Sequence, residues 1–371
     1  MKRLFILLIA FLMSTSACNN GKKAGEKVVV CPDEPLKGIL KLKVEKILTI
    51  DSLTVDDENP PIFNGLMKDK NDSIYISNIY PGIAVYKFAK DGSFSKKFLS
   101  KGEGPGELRS LQFLQYVDDR IIMGSENKII EYDLDGNYIA EKRLKKFYPA
   151  ITMIDKQYFI ATHQKTENKI VKRICSIINK NDENEIFKLL ETGRRNIGKT
   201  IVGEGEMTLS ISLAGITPDY ITRYNASNDL IYQCLSDEPD IYIKNRNGDL
   251  IKIVKTNFKN WVLTEDDKNE VMKSFFRYPD DMKNMVKKSL PEKMLVIESL
   301  LLLPKGYFAV YFHKNWEEQE IRVFDKEGQF QYIVEFPEEL SGRSTKFTKN
   351  GFACIEREED RDLYVEYKIT N

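Results

Sequence analysis

The feature that most constrains this chain is a recurring outline: an alternating apolar run, an Asp-Gly turn and a second alternating run. It is clearest at IAVYKFAKDGSFSKKF, residues 83–98, which leads into the glycine-rich corner KGEGPGEL at 101–108. Alternation with a period of two marks a half-buried strand. Asp-Gly between two such runs predicts a hairpin, because these residues accept the positive φ of a two-residue turn. The outline returns around Asp135-Gly136, Asn247-Gly248 and Glu327-Gly328, and more weakly around Asn181-Asp182.

Each unit holds short strand-like runs. The first reads IFNGLM (62–67), SIYISN (73–78), IAVYKF (83–88) and SFSKKFL (93–99); the second SLQFLQYV (110–117), RIIMG (120–124), KIIEYD (128–133) and NYIAEKRL (137–144). The third shows QYFIAT (157–162), IVKRICSII (170–178) and EIFKLL (185–190). The fourth has YITRYN (220–225), DLIYQCL (229–235), DIYIK (240–244) and DLIKIV (249–254). The fifth has LVIESLLLL (295–303), YFAVYF (307–312), EIRVFD (320–325) and QFQYIVEF (329–336). A sixth, TKFTKN (345–350), GFACIE (351–356) and LYVEYKIT (363–370), stops one strand short, and KVEKILTID at 43–51 has no partner of its own. Pairing these ends, Ile47 near Tyr367, shuts a ring of sheets and removes its open edges. The expected fold is therefore all-β: a six-bladed β-propeller of four-stranded blades over 41–371, the N-terminal strand closing the last blade. A period of about 45 residues per four-strand unit favours it over a sandwich or a β-helix.

Lysine plus arginine equals aspartate plus glutamate, 56 each, so no overall field draws the chain to nucleic acid. Two histidines argue against a histidine-rich metal centre. The five cysteines form no CxxC pair, and Cys175, Cys234 and Cys354 lie in apolar runs where a small buried hydrophobe is expected.

Residues 1–18, MKRLFILLIAFLMSTSAC, carry a basic start, the apolar core Leu4 to Met13 and small residues before Cys18. Ten apolar residues cover about half of a ~20-residue membrane span, so an export signal is expected. Thr15-Ser16-Ala17-Cys18 resembles a bacterial lipobox, with Thr15 where leucine is usual; the resemblance implies lipidation of Cys18. It also implies outer-membrane placement, facing the periplasm or the cell surface, since Asn19 is no inner-membrane retention signal. Polar residues 19–40 read as a flexible tether.

The run DGSFSKKFLSKGEGPGEL resembles the NHL-type propeller pattern, an aspartate-glycine hairpin leading through an outer strand to a Gly-Pro-Gly-Glu corner. Leu111 stands where proline is frequent in that pattern. Together with the lipobox, the whole chain is similar to six-bladed propeller lipoproteins, a resemblance that implies fold rather than activity.

Strand order maps the faces. Connections after second and fourth strands share one face; the Asp-Gly hairpins lie on the other. The corner, with Glu107 and Arg109, and two insertions, 191–217 with Arg194 and 257–294, fall on the first face. Thr264 before Glu265-Asp266-Asp267 predicts a helix start inside the second, and Pro279 divides it from another short helix. The loops after second strands add Asn78, Tyr80, Glu126, Asn127, His163, Asp237, His313, Trp316 and Glu356. His163 and His313 end equivalent strands and are expected to face each other across the channel mouth. Neither GEGPGEL nor GEGEM (203–207) opens a helix after a strand, so no phosphate loop is present, and no GxSxG or HExxH occurs.

Two functions follow. The first is a monomeric, non-catalytic recognition module for an envelope protein, peptide or glycan, touching the membrane only through its lipid and using no cofactor. The second is a metal-dependent propeller hydrolase, lactonase or lyase, with calcium or another divalent ion held at the mouth by Glu126, Asn127, His163, Asp237, His313 and Glu356. Recognition is preferred, because fold analogy does not license an activity.

Overall fold

The computed structural model describes residues 27–55, 61–80, 82–125, 127–167, 170–195, 200–202, 205–207, 220–259, 261–273, 280–290, 296–314, 318–337, 345–347, 351–358 and 361–370. Six antiparallel four-stranded units form the blades. Blade 1 is Phe63–Lys68, Ile74–Asn78, Ala84–Phe88 and Phe94–Phe98; blade 2 is Phe113–Val117, Arg120–Ser125, Lys128–Tyr132 and Tyr138–Arg143. Blade 3 is Ala150–Met153, Tyr158–Glu167, Ile170–Asn179 and Glu185–Arg195. Blade 4 is Tyr220–Asn225, Leu230–Leu235, Asp240–Asn245 and Leu250–Lys255. Blade 5 is Ile297–Leu302, Phe308–His313, Gln319–Phe324 and Phe330–Glu335. Blade 6 is Thr345–Phe347, Gly351–Arg357 and Asp362–Thr370, completed by Lys43–Asp51.

The closure falls where the sequence predicts it: Lys46 pairs with Tyr367 and Leu48 with Glu366, with Ile47 bulged between. First strands of neighbouring blades touch around the centre, so each blade runs outward from first strand to fourth. Second and third strands, covered on both sides by neighbouring blades, are buried almost without interruption, as in IYISN and KIIEY. Every seam holds an apolar cluster. Phe98, Leu108 and Ile130 fill the one between blades 1 and 2; Phe308, Phe330 and Val254 fill that between 4 and 5; Ile50, Phe63 and Tyr364 fill the closing one.

The hairpins between third and fourth strands differ in detail from the expectation. In blade 2 Asp133 N–H donates to the Asn137 carbonyl and Gly136 N–H to that of Asp133, and the register slips at Glu131/Tyr132. This is a three-residue loop with a bulge, in which only the glycine takes positive φ. The aspartate that matters is the one before the loop: Asp133 Oδ1 accepts the amides of Asp135 and Asn137, and Asp325 repeats this in blade 5. Blade 3 has a longer loop with Glu183 at φ 61°.

Further corrections concern the limits of elements. Blade 3 gains the short first strand Ala150–Met153, its second strand runs past His163 to Glu167, and its fourth takes in residues 191–195 of the expected insertion. Residues 27–40, expected as tether, are instead laid along the propeller. Lys27–Val30 adds a parallel fifth strand to blade 4, and Ile39–Lys41 adds one to blade 5. Residues 19–26, like the export signal and Cys18, lie outside the described residues.

The second insertion holds helices α1 (Glu265–Lys273) and α2 (Asp280–Ser289). Thr264 caps α1 as predicted: its Oγ1 accepts the Asp267 amide, while Asp267 Oδ2 accepts the Thr264 amide. Among the described residues no helix is long and apolar enough to cross a membrane.

Candidate functional site

The two faces of the ring differ in chemistry. The face carrying connections after second and fourth strands, here the loop face, exposes Leu53, Ile62, Ile79, Tyr80, Phe147 and Val262. Among the described residues the turns of the hairpin face expose no large hydrophobic side chain. Other exposed apolar side chains lie on the outer strands, Phe94, Tyr138 and Ile186 among them, and scattered ones are ordinary; what sets the loop face apart is that its connections carry six.

Four of the six gather where the ring closes. The Ile62 amide and Asn78 Nδ2 both donate to the Tyr80 carbonyl, at 3.2 and 3.3 Å, which fixes the turn holding Ile79 and Tyr80. Tyr80 then stands 65% exposed on a locked support. Beside it Asp362 accepts the Phe63 amide at 2.8 Å, its own amide donates to Ser52 Oγ, and Arg361 pairs with Asp51 at 2.8 Å. The segment bearing Leu53 and the strand after Ile62 are thus tied to one aspartate. A rigid aromatic with apolar neighbours is the usual core of a recognition patch.

The glycine-rich corner is held by its own side chains. Glu107 folds back to accept the Gly104 amide at 2.8 Å, and Arg109 pairs with Glu103. Lys128, buried beneath, donates to the carbonyls of Gly104 and Glu107 and pairs with Glu141 at 2.8 Å. Tyr132 donates to the Gly106 carbonyl. Glu107 and Arg109 are thus both engaged within the corner.

The histidines do not meet. His163 sits mid-strand opposite Ile174, in the seam between blades 2 and 3, edge-on to Tyr148 and 4.0 Å from Glu185. Burial holds its pKa below the usual histidine value. His313 does end its strand, with Nε2 3.7 Å from Glu298 on the first strand of its own blade. The expectation that they face each other fails because the second strand of blade 3 continues beyond His163 into a long ribbon rather than stopping at the mouth.

The other candidates are dispersed. Asn127 is exposed, and its carbonyl accepts the Leu144 amide. Asp237 is half-buried in the turn after Leu230–Leu235. Glu356 accepts the Tyr367 hydroxyl and lies 3.6 Å from Lys46. Arg194 lies opposite Val171 in the blade 3 ribbon, while Glu126 and Trp316 fall outside the described residues. Among the described residues no three carboxylate, imidazole or thiol groups form a set that could hold a metal ion.

Sequence reasoning missed Leu53, Ile62, Ile79, Phe147 and Val262, whose types are those of core residues. It also missed Arg223 on the innermost strand of blade 4. The residue is exposed, yet enough protein surrounds it that burial lowers its pKa.

A family model described as a 6-bladed beta-propeller, DUF5128, matches residues 52–334. The chain belongs to this family. Two solved structures share the fold. One is a candidate exported protein of Bacteroides fragilis, 12% identical, covering 93% of this chain and 100% of its own, with a TM-score of 0.52. The other is a DUF4221 family member from Bacteroides vulgatus, 8% identical, covering 89% and 99%, with a TM-score of 0.51. No curated protein matches the DUF5128 chain. At these identities the likeness is one of fold.

Proposed function

We propose that this DUF5128 propeller is exported, anchored by lipid at Cys18, and recognises an envelope protein, peptide or glycan through its loop face without catalysing a reaction. The carrying observation is the cluster of exposed apolar side chains at the ring closure, Leu53, Ile62, Ile79 and Tyr80, with Tyr80 in its doubly pinned turn. Two further features support it. The loop face holds both insertions, and loops on a rigid scaffold are where binding residues collect. The B. fragilis structure with the same fold is that of a candidate exported protein, in keeping with the signal-like Met1 to Cys18.

The competing hydrolase needs ligands converging on one point. Of its six candidates, His163 and His313 each sit with a carboxylate of their own blade, and Glu356 is engaged by Tyr367.

The test is site-specific photo-crosslinking in the native envelope. A photoreactive residue at Tyr80 or Phe147 is expected to give discrete adducts. The same residue at Asp119 or Lys305, exposed on the hairpin face, is expected to give none. Adducts of equal yield from both pairs, or from the second alone, would refute recognition through the loop face.

A further inference from the structure

We propose that the outer edge of blades 4 and 5 is the surface this protein lays against a phospholipid bilayer, so that blades 1 and 2, with Tyr80 and Phe147, project away from it. The proposal rests on the lipid-anchor reading above. It starts from the strap, residues 27–42. Lys27 pairs with Lys252 near the start of the outer strand of blade 4, and Cys31 N–H donates to the Lys255 carbonyl. The buried Cys31 thiol reaches the Gly328 carbonyl of blade 5, and Asn257 Nδ2 donates to the Cys31 carbonyl. The chain then crosses to blade 5, where Leu36 and Lys37 donate to the carbonyls of Phe330 and Gln331 before Ile39–Lys41 pairs with the outer strand.

The strap is held by these groups, yet its outward side is apolar. Val30 is 62% exposed, Leu36 61% and Ile39 57%; Leu40 and, on the adjoining strand, Ile251 are exposed as well. Lysines 27, 37 and 41 and the exposed acids Asp33 and Glu34 punctuate the same stretch, and Lys27 and Lys41 pair with Glu327 and Glu335, so it is the apolar groups that suit a lipid surface.

Chain length supplies the occupant. Eight residues separate Cys18 from Lys27, and even fully extended the nine Cα-to-Cα steps span about 30 Å. An acyl chain on Cys18 therefore brings the bilayer to this side of the ring. A six-membered ring places blade 4 opposite blade 1 and blade 5 opposite blade 2, so the edge at the membrane and the Tyr80 patch lie on opposite flanks. A lipid anchor commonly works with a second membrane signal, and the strap's apolar stripe is suited to be one.

The test uses the full acylated protein on vesicles of phosphatidylethanolamine and phosphatidylglycerol. Nitroxides are attached to Leu36→Cys, Ile39→Cys and, as a reference, Tyr80→Cys; the native cysteines among the described residues are all buried. Mass spectrometry of the Cys18 peptide is run on the same samples. The expected result is collision with oxygen several-fold above collision with a nickel chelate at positions 36 and 39, and the reverse at 80. Nickel-accessible labels at all three positions on a protein acylated at Cys18 would overturn the proposal while leaving the anchor intact. Labels at 36 and 39 shielded from both reagents would overturn it too, since a protein strand or a second copy of this chain would then cover the edge. An unmodified Cys18 would overturn the anchor reading and this one with it. Val30→Asp and Leu36→Asp combined in one chain, both at exposed positions, give an independent readout: several-fold faster exchange of the acylated protein between vesicles, with an unchanged urea midpoint.

Discussion

Three glycines separate the two demands that a propeller hairpin makes on its backbone. Gly82 has nothing within 4 Å of the place a Cβ would take and no positive φ; Gly38 has φ 82° with equally open space; Gly136 has φ 72°, and a Cβ there would lie 2.8 Å from Phe98 on the outer strand of blade 1. Alanine at Gly82 should change stability by no more than about 0.5 kcal/mol, as at an unconstrained surface site. Gly38→Ala should cost about 1 kcal/mol, the penalty of the left-handed region for a side chain. Gly136→Ala adds displacement of a buried ring, about 1–3 kcal/mol for overpacking, giving about 2–4 kcal/mol in all. With an unfolding entropy of about 2 cal/mol/K per residue over the folded region, that is roughly 3–6 °C in Tm. Urea and thermal unfolding followed by tryptophan fluorescence would measure all three variants. Equal losses at Gly38 and Gly136 would refute the close approach of hairpin to neighbouring blade. No loss at Gly136 would refute the seam altogether.

Other expectations are checked more briefly. His163 is held below the unfolded histidine value of 6.5 by burial, so the unfolded chain takes up its proton first as pH falls. Stability present above pH 6.5 should be lost below it, and His163→Gln should flatten the stability profile between about pH 7 and pH 5; an unchanged slope would remove His163 as a cause. Lys128→Met strips the corner of its buried cation and leaves Glu141 without its partner, a loss of about 3 kcal/mol in urea unfolding. Burial pushes the thiols of Cys31 and Cys175 up to about 11 and that of Cys234 to about 12, so a maleimide at neutral pH should label none of them until the protein unfolds. Rapid labelling of Cys31 would show that the strap leaves the propeller. Thr264→Ala should cost about 1 kcal/mol, seen as faster amide exchange confined to α1.

The blades were legible because a four-strand unit writes its period into side chains, and the unpartnered run 43–51 announced the closure. The strap was not, since KVVV and ILK are four and three residues long and are strands only because an outer edge was open to receive them. Ala150–Met153 escaped for the same reason of length. His163 was misplaced because the polar run after it is held as strand by its ribbon partners, from Gln164 opposite Arg173 to Glu167 opposite Ile170, against its local propensity. Nor could the apolar residues of the loop face be told from core: Phe147 and Tyr148 are adjacent, yet one is 63% exposed and the other fully buried.

The hairpin face explains why the long connections gather on the other side. Its turns are occupied in joining blade to blade. Lys96 of blade 1 donates to the Asp135 carbonyl in the hairpin of blade 2, Lys142 of blade 2 to Asn181 in that of blade 3, and Lys252 of blade 4 to Lys326 in that of blade 5. Tyr75 of blade 1 likewise reaches the Leu134 carbonyl, and the hairpin glycines rest on the preceding outer strands, as Gly328 does on Val254. Such turns stay short; even the longer loop of blade 3 still receives Lys142 at the Asn181 carbonyl. Connections after second and fourth strands carry less of this load, except at the glycine corner and the ring closure. Both insertions are found there, and so are the exposed side chains of Leu53, Ile62, Ile79, Tyr80, Phe147 and Val262.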